Sequence, residues 1–238
     1  MSQATIICLP GLGGHKTSFQ GYEKLLNRHK VLFTQIIDPK ESFEEIKKIC
    51  ESQNSQNEKI IFLANCYGAQ FGIRLIDILP VGKIKGLIII EPFFAQFHFW
   101  RWPADVINRG ILAILFLAEK LGIRRKKFWS EINYAKLSKY SIFFQPIFDM
   151  RWQPLPDYFK KIADILHFKL PKDPINVPTL LIFSPKGFMQ DEERKKELSK
   201  LFVDTTIEEV QTKSHNIITL SQQEIAHIVL SWIDKLSI

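Results

Sequence analysis

The run Ile60-Ile61-Phe62-Leu63-Ala64-Asn65-Cys66-Tyr67-Gly68-Ala69-Gln70-Phe71-Gly72 limits what this chain can fold into more than any other. Its five leading apolar residues read as a strand buried on both faces, as strands of a parallel sheet are. Gly68, Ala69 and Gly72 then read as the first turns of a helix packed closely on that strand. No residues remain for a loop between the two. A strand that turns directly into a helix forces the residue at the bend into a strained backbone conformation. That residue is Cys66, and its side chain would stand exposed at the carboxyl end of the sheet. The plain alternative is a buried cysteine in an ordinary turn, since free cysteines are among the most buried side chains.

The chain around this run alternates strands and helices. Ala4–Leu9, Val31–Ile37, Ile84–Ile90, Thr179–Phe183 and Thr206–Val210 read as strands. Phe19–Leu26, Ser42–Ser52, Asp191–Leu201 and Gln223–Lys235 read as helices, and the helix after Cys66 should run to about Leu79, where Pro80 stops it. Asp38-Pro39 reads as a break. Such alternation, with continuous apolar strands, predicts an α/β fold with a doubly wound, mostly parallel sheet.

Residues 92–171 carry no convincing strand. Helices are expected near Ala104–Leu121, Trp129–Tyr140 and Asp157–Phe168. This section holds four of the five tryptophans, Trp100, Trp102, Trp129 and Trp152. It reads as an inserted helical cap that divides the core into residues 1–91 and 172–238. Its aromatic content fits an apolar substrate tunnel or lid, and equally the cap's own small core.

A length of 238 residues fits one domain with such an insertion. The three cysteines, Cys8, Cys50 and Cys66, are odd in number and fit no metal-site spacing. That points to free thiols in a reducing compartment. The N-terminus lacks a basic region and a long apolar run. The longest internal apolar run, Ile111 to Ala118, falls well short of the ~18 residues a membrane span needs. A cytoplasmic location is expected. Phe97-His98-Phe99-Trp100-Arg101-Trp102 has the composition of an interfacial segment, but membrane contact is not expected. The net charge of +7 favours acidic partners. No nucleic-acid-binding pattern is present, so nucleic acid is not expected. A small acidic carrier protein or the phosphates of a coenzyme would fit the charge, with Arg124-Arg125-Lys126-Lys127 as the best candidate dock. Solvation of an ordinary surface is the bland alternative.

Ala64-Asn65-Cys66-Tyr67-Gly68 resembles the nucleophile elbow of the α/β-hydrolases, G-x-S-x-G. Ala64 stands for the first Gly, and Cys66 for the serine. A cysteine occupies that place in a minority of the family, including dienelactone hydrolases, polyhydroxyalkanoate synthases and some polyketide-type cyclases. The resemblance implies an α/β-hydrolase fold trimmed at the N-terminus, because the hairpin that usually precedes the first strand has no sequence here. It also implies that Pro10-Gly11-Leu12-Gly13-Gly14-His15 is the oxyanion loop, in which Pro10 replaces the usual His. The oxyanion amides would come from Leu12 and Tyr67. A plain glycine-rich turn is the alternative, and the loop matches neither a Walker nor a dinucleotide pattern.

The family order is nucleophile, acid, histidine. Of the six histidines, His215 lies between the last strand and the last helix, where the family places its base. His98 and His227 read as structural or surface groups. His15 could line the site or stand exposed in its loop. The usual Asp would follow Thr179–Phe183, but Ser184-Pro185-Lys186-Gly187 has no carboxylate. Some thioesterases and lipases carry the acid one strand earlier, which here is Glu91, directly after four apolar residues. Asp191 is the second candidate, and a Cys-His dyad without an acid is the third arrangement. Gly11, His15, Phe93, Phe94 and Trp100 are the expected substrate contacts.

A thiolate at a helix N-terminus has a lowered pKa and is a ready nucleophile. Exchange of one thioester for another is nearly thermoneutral, and an acyl-cysteine keeps an electrophilic carbonyl. A Cys66-His215-Glu91 triad therefore implies acyl transfer from a thioester-borne fatty or polyketide-like chain, by a thioesterase, a Claisen/Dieckmann-type cyclase or an acyltransferase. Coenzyme A or an acidic acyl carrier protein would bear the chain. No cofactor and no metal is implied. A carboxylesterase or lactone hydrolase acting on a small ester is an alternative. A non-catalytic scaffold binding a ligand or partner is another, supported by the missing Asp near Gly187.

Overall fold

Parallel strands bury both faces, so alternate residues of each must supply two separate cores. A computed structural model of the protein, describing residues 4–12, 16–53, 59–94, 101–120, 155–185, 192–211 and 217–236, shows this arrangement. Strands β1 (Ala4–Leu9), β2 (Lys30–Phe33), β3 (Lys59–Asn65), β4 (Ile84–Ile90), β5 (Thr179–Phe183) and β6 (Thr205–Glu209) form one sheet in the order β2-β1-β3-β4-β5-β6. All five pairings are parallel. The helices are α1 (Tyr22–Leu25), α2 (Pro39–Ser52), α3 (Gly68–Ile78), α4 (Arg101–Lys120), α5 (Leu155–His167), α6 (Glu192–Ser199), α7 (Ile217–Leu220) and α8 (Gln222–Lys235).

Ile7, Leu9, Phe62, Ala64, Leu87, Ile89, Leu181 and Phe183 point to one face and pack with residues of α2, α3, α5 and α6. The residues between them, including Ile6, Cys8, Ile61, Leu63, Ile88, Ile90, Leu180 and Ile182, point to the other face and pack with α1, α7 and α8. Burying each leucine, isoleucine or phenylalanine among them fully contributes about 1.5–3 kcal/mol. The sheet is therefore doubly wound, as expected. Between β4 and β5 the chain forms α4 and α5, which pack on each other. The Asn108 side chain of α4 donates to the Phe159 carbonyl of α5 at 3.2 Å. The segment Trp129–Tyr140, expected as a helix, lies outside the described residues.

The strands expected at Ala4–Leu9, Ile84–Ile90 and Thr179–Phe183 have those ends. Three other expectations are corrected. The helix expected over Phe19–Leu26 is a 3-10 turn at Lys16–Phe19 followed by the four-residue α1. Gly21 divides the two with a φ of 97°, which a side chain would resist. β2 stops at Phe33 rather than Ile37, because Thr34 turns to cap β1. Its hydroxyl donates to the Cys8 carbonyl at 2.7 Å. Asp38-Pro39 does not merely break a strand but starts α2, three residues earlier than Ser42. The Asp38 carboxylate accepts from the Lys40 and Glu41 amides at 2.9 and 3.2 Å. Pro39 takes the first helical position, where its missing N–H costs nothing.

The order reverses between β1 and β3, since β1 leads outward to β2 and β3 leads the other way to β4. Parallel sheets bind ligands in the crevice beyond the carboxyl ends of strands at such a switch. Close packing of α3 there depends on Gly68. A Cβ on Gly68 would lie 2.2 Å from the Leu9 carbonyl oxygen and 2.8 Å from that of Pro10, both backbone atoms. A Cβ on Gly72 would instead meet the Leu87 Cδ1 at 3.0 Å. Gly68→Ala should therefore lower stability by about 3 kcal/mol or more. Gly72→Ala should stay within about 1 kcal/mol of the parent, because helix propensity offsets the crowding. Urea unfolding of both variants measures the difference, and equal losses would contradict the packing of α3 on the end of β1.

Candidate active site

Cys66 follows the last residue of β3 and precedes α3 by one residue. Its φ is 50°, in the left-handed region that costs a non-glycine residue about 1–3 kcal/mol. The conformation is held from both sides. The Cys66 amide donates to the Ile90 carbonyl of β4 at 2.9 Å, and the Cys66 carbonyl accepts from the Ala69 amide at 3.1 Å. Tyr67 already has helical angles, with φ −58° and ψ −32°. The bend predicted from Asn65-Cys66-Tyr67-Gly68 is thus present, and the Cys66 side chain is half-buried rather than sealed.

The loop after β1 comes directly against this bend. A Cβ on Gly11 would lie 3.4 Å from the Cβ of Cys66 and 3.1 Å from the Nδ2 of Asn65. Leu12 follows and packs partly buried against the core. The structure therefore brings Gly11 against Cys66, with Leu12 and Tyr67 next to them in the chain. Among the described residues, neither the Leu12 nor the Tyr67 amide has a backbone acceptor.

Glu91 repeats the geometry one strand over. Asn65 is in register with Ile90, so Cys66 and Glu91 end neighbouring strands side by side. Glu91 also has a left-handed φ, 49°. Its amide donates to the Ile182 carbonyl of β5 at 2.9 Å. It is only 2% exposed, and its carboxylate accepts from the backbone amide of Ser184, the first residue after β5. The carboxylate is thus turned toward the end of β5. Phe93 is half-buried, and its carbonyl accepts from the Gln70 side chain of α3 at 3.2 Å. Phe94 is fully buried and stacks on Phe168, with ring centroids 5.9 Å apart. His215, His15, Trp100 and Asp191 lie outside the described residues.

Sequence reasoning passed over the side chains that tie α5 to this edge. The phenol of Tyr67, fully buried, donates to Asp164 Oδ2 at 2.6 Å. Arg74 of α3 donates to the same oxygen at 2.8 Å, and its guanidinium lies over Phe168 at 5.1 Å and Phe71 at 5.8 Å. Burial, and then the Asp164 charge, push the Tyr67 phenol well above the usual range. Lys161 is fully buried and donates to the Ile36 carbonyl at 2.8 Å. Lys160 pairs with Asp38 at 2.9 Å and with Asp157 at 3.0 Å. Burial alone would raise the Asp38 carboxyl; the Lys160 ammonium and the two helix amides outweigh it and hold it below its ordinary value. The signal was available: Asp157, Lys160, Lys161 and Asp164 recur every three or four residues, a polar stripe along one side of a helix.

A cavity of about 560 Å³ lies elsewhere, near the amino ends of β4 and β5, with Ile76, Pro80, Ile84 and Ile175 in its walls. Neither Cys66 nor Glu91 lines it, so its size does not make it the reaction site. Among the described residues no cluster of three metal-binding side chains occurs, and no helix is long and apolar enough to cross a membrane.

The strand order, the crossover at β1 and β3, and the left-handed cysteine between β3 and α3 fit an α/β-hydrolase fold. No family model and no curated protein sequence matches the chain. Solved structures do match it. MenH from S. aureus is 11% identical, with a TM-score of 0.70 over 100% of this chain and 96% of MenH. The type II thioesterase BorB from the borrelidin biosynthetic cluster is 14% identical, with a TM-score of 0.65 over 97% and 92%. MGS-M2, an alpha/beta hydrolase enzyme from a Medee basin deep-sea metagenome library, is 14% identical, with a TM-score of 0.65 over 100% and 92%. At these identities the likeness is one of fold.

The three thiols stand in different surroundings, and none is in a disulfide. Burial pushes Cys8 well above the ordinary thiol range, and pushes Cys50 up to about 12. Alkylation needs the thiolate and access to it. Iodoacetamide near neutral pH should therefore add once to the folded chain, at Cys66, and Cys66→Ser should abolish the addition. Peptide mass mapping reads the site. Comparable rates at all three cysteines would contradict the burial of Cys8 and Cys50.

Proposed function

We propose that this chain is an acyl-transfer enzyme whose nucleophile is Cys66, acting on a hydrophobic acyl group carried as a thioester. The observation that carries the proposal is the half-buried cysteine held left-handed at the strand-to-helix turn, with the Gly11 backbone against it. The fold likeness to the type II thioesterase BorB supports a thioester donor. A hydrolase of the thioesterase kind is the coarser form of the proposal; cyclisation or transfer to another acceptor uses the same acyl-cysteine.

In the proposed reaction His215 takes the Cys66 proton, and the sulfur attacks the thioester carbonyl carbon. The amides of Leu12 and Tyr67 bind the oxyanion. The carbon–sulfur bond of the donor then breaks, and His215 returns the proton to the leaving thiol. Water, an alcohol or a carbon nucleophile attacks the acyl-cysteine, with His215 as base. Glu91 is the proposed orienting acid. Its support is the left-handed turn that aims the carboxylate toward the end of β5, beside the place where the fold usually carries an Asp. Residues 92–171 form the proposed cap, with Phe93 near its entrance and Phe94 supporting it from the core. Coenzyme A or an acidic carrier protein is the proposed bearer of the acyl chain, given the net charge of +7.

The test is intact-mass analysis after exposure to an octanoyl thioester of N-acetylcysteamine. A single acyl adduct at Cys66 is expected, absent in Cys66→Ala. Glu91→Gln should slow its formation by roughly two orders of magnitude. Adducts elsewhere, or none, would remove Cys66 from the mechanism. Faster turnover of a small oxygen ester than of the thioester would favour a carboxylesterase instead.

A further inference from the structure

The residue after the nucleophile contributes a backbone amide to the proposed oxyanion site, and that task makes no demand on its side chain. Tyr67 nevertheless has a buried phenol bonded at 2.6 Å to a carboxylate 97 residues away. Asp164 lies on α5, between β4 and β5, and its Oδ2 is shared with Arg74 of α3. The Tyr67 phenol and the Arg74 guanidinium thus converge on one carboxylate oxygen. The two donors belong to the elbow helix and its cap residue, and the acceptor to the inserted helix. A hydrogen bond to an ionised carboxylate is shorter and stronger than a neutral one. Both Asp164 and Arg74 are largely shielded, with side-chain exposures of 23% and 28%. Phe71 packs edge-on against the Tyr67 ring, with centroids 5.2 Å apart, which limits other ring positions.

The peptide between Cys66 and Tyr67 is the one that must aim an N–H at the oxyanion. Its Cys66 side is strained, with a φ of 50°, and relaxes unless its neighbours hold it. We propose that Asp164 is a positioning residue for the oxyanion site. Through the Tyr67 phenol it holds the peptide that carries the Tyr67 amide, so the seating of α5 sets the rate of acylation at Cys66. The proposal rests on the acyl-cysteine function above. Two further anchors seat α5 without touching Tyr67: Lys161 on the Ile36 carbonyl and Lys160 on Asp38. They allow loss of α5 docking to be separated from loss of amide positioning.

Acylation develops an oxyanion and alkylation by iodoacetamide does not, so the ratio of the two rates at Cys66 separates oxyanion stabilisation from the reactivity of the thiol itself. Tyr67→Phe and Asp164→Ala should each lower the acylation rate roughly tenfold or more, with the alkylation rate unchanged. The double variant should be no slower than the slower single one. Asp164→Asn, which still offers an oxygen to the phenol, should recover part of the ratio. Lys160→Met should lower the melting temperature and leave the ratio at the parent value. Should Asp164→Ala fail to fold, the conservative Tyr67→Phe decides. Equal losses in both rates, or no loss in either, would overturn the positioning role while leaving the function standing. A parent chain that alkylates at Cys66 but is never acylated would overturn both.

Discussion

The site depends on a backbone turn that an L-residue resists. Cys66 has a φ of 50°, and the strain of about 1–3 kcal/mol persists only because the surroundings leave the chain no other course. The β3 strand is buried on both faces and cannot shift. α3 starts directly over the ends of β1 and β3, at a glycine with backbone oxygen where a side chain would be. Two rigid elements therefore meet with only Cys66 and Tyr67 between them, and Cys66 takes the bend. The side chain at such a corner leaves the sheet at its carboxyl edge. Here it is a thiol.

The neighbouring strand ends in the same way. Glu91 has a φ of 49° and rests its amide on β5, as Cys66 rests its own on β4. Each strand in turn fixes the corner of the one before it. The edge is thus a staircase of left-handed corners that presents a thiol and then a carboxylate, with the β1 loop against the first of them. α5 closes the other side through charged and polar bonds, where apolar contact alone would let it slide. A Lys161 ammonium buried against a carbonyl and an Asp164 carboxylate held by two donors each satisfy groups that would otherwise be costly to bury.

The strands were legible because parallel strands demand continuous apolar runs, and this chain supplies them at Ile60–Ala64, Ile84–Ile90 and Thr179–Phe183. The small elements were less so. Gly21 interrupts a segment whose apolar spacing reads as one helix, and no periodicity reports a positive φ. β2 is an edge strand with a single partner, so its end is set by where Thr34 can reach the Cys8 carbonyl, a distance the sequence does not contain. Asp38-Pro39 reads as a break by its proline, yet the same pair is a helix start, an Asp cap followed by a proline that needs no N–H partner. Phe94 was expected among the substrate contacts, and it lies within the core against Phe168; aromatic type alone does not distinguish a wall from its support.

Local covalent geometry is written in the sequence. Five apolar residues, no loop residues and a glycine two places after Cys66 leave one way to join a strand to a helix, so the bend and its thiol followed from the chain itself. Partners across long separations are not written there. That Glu91 turns toward Ser184, and that Asp164 meets Tyr67 across 97 residues, was decided by strand register and by how α5 seats on the sheet edge. Those depend on the packing of two whole cores, and a carboxylate has no preference of its own among the donors that a fold brings within reach.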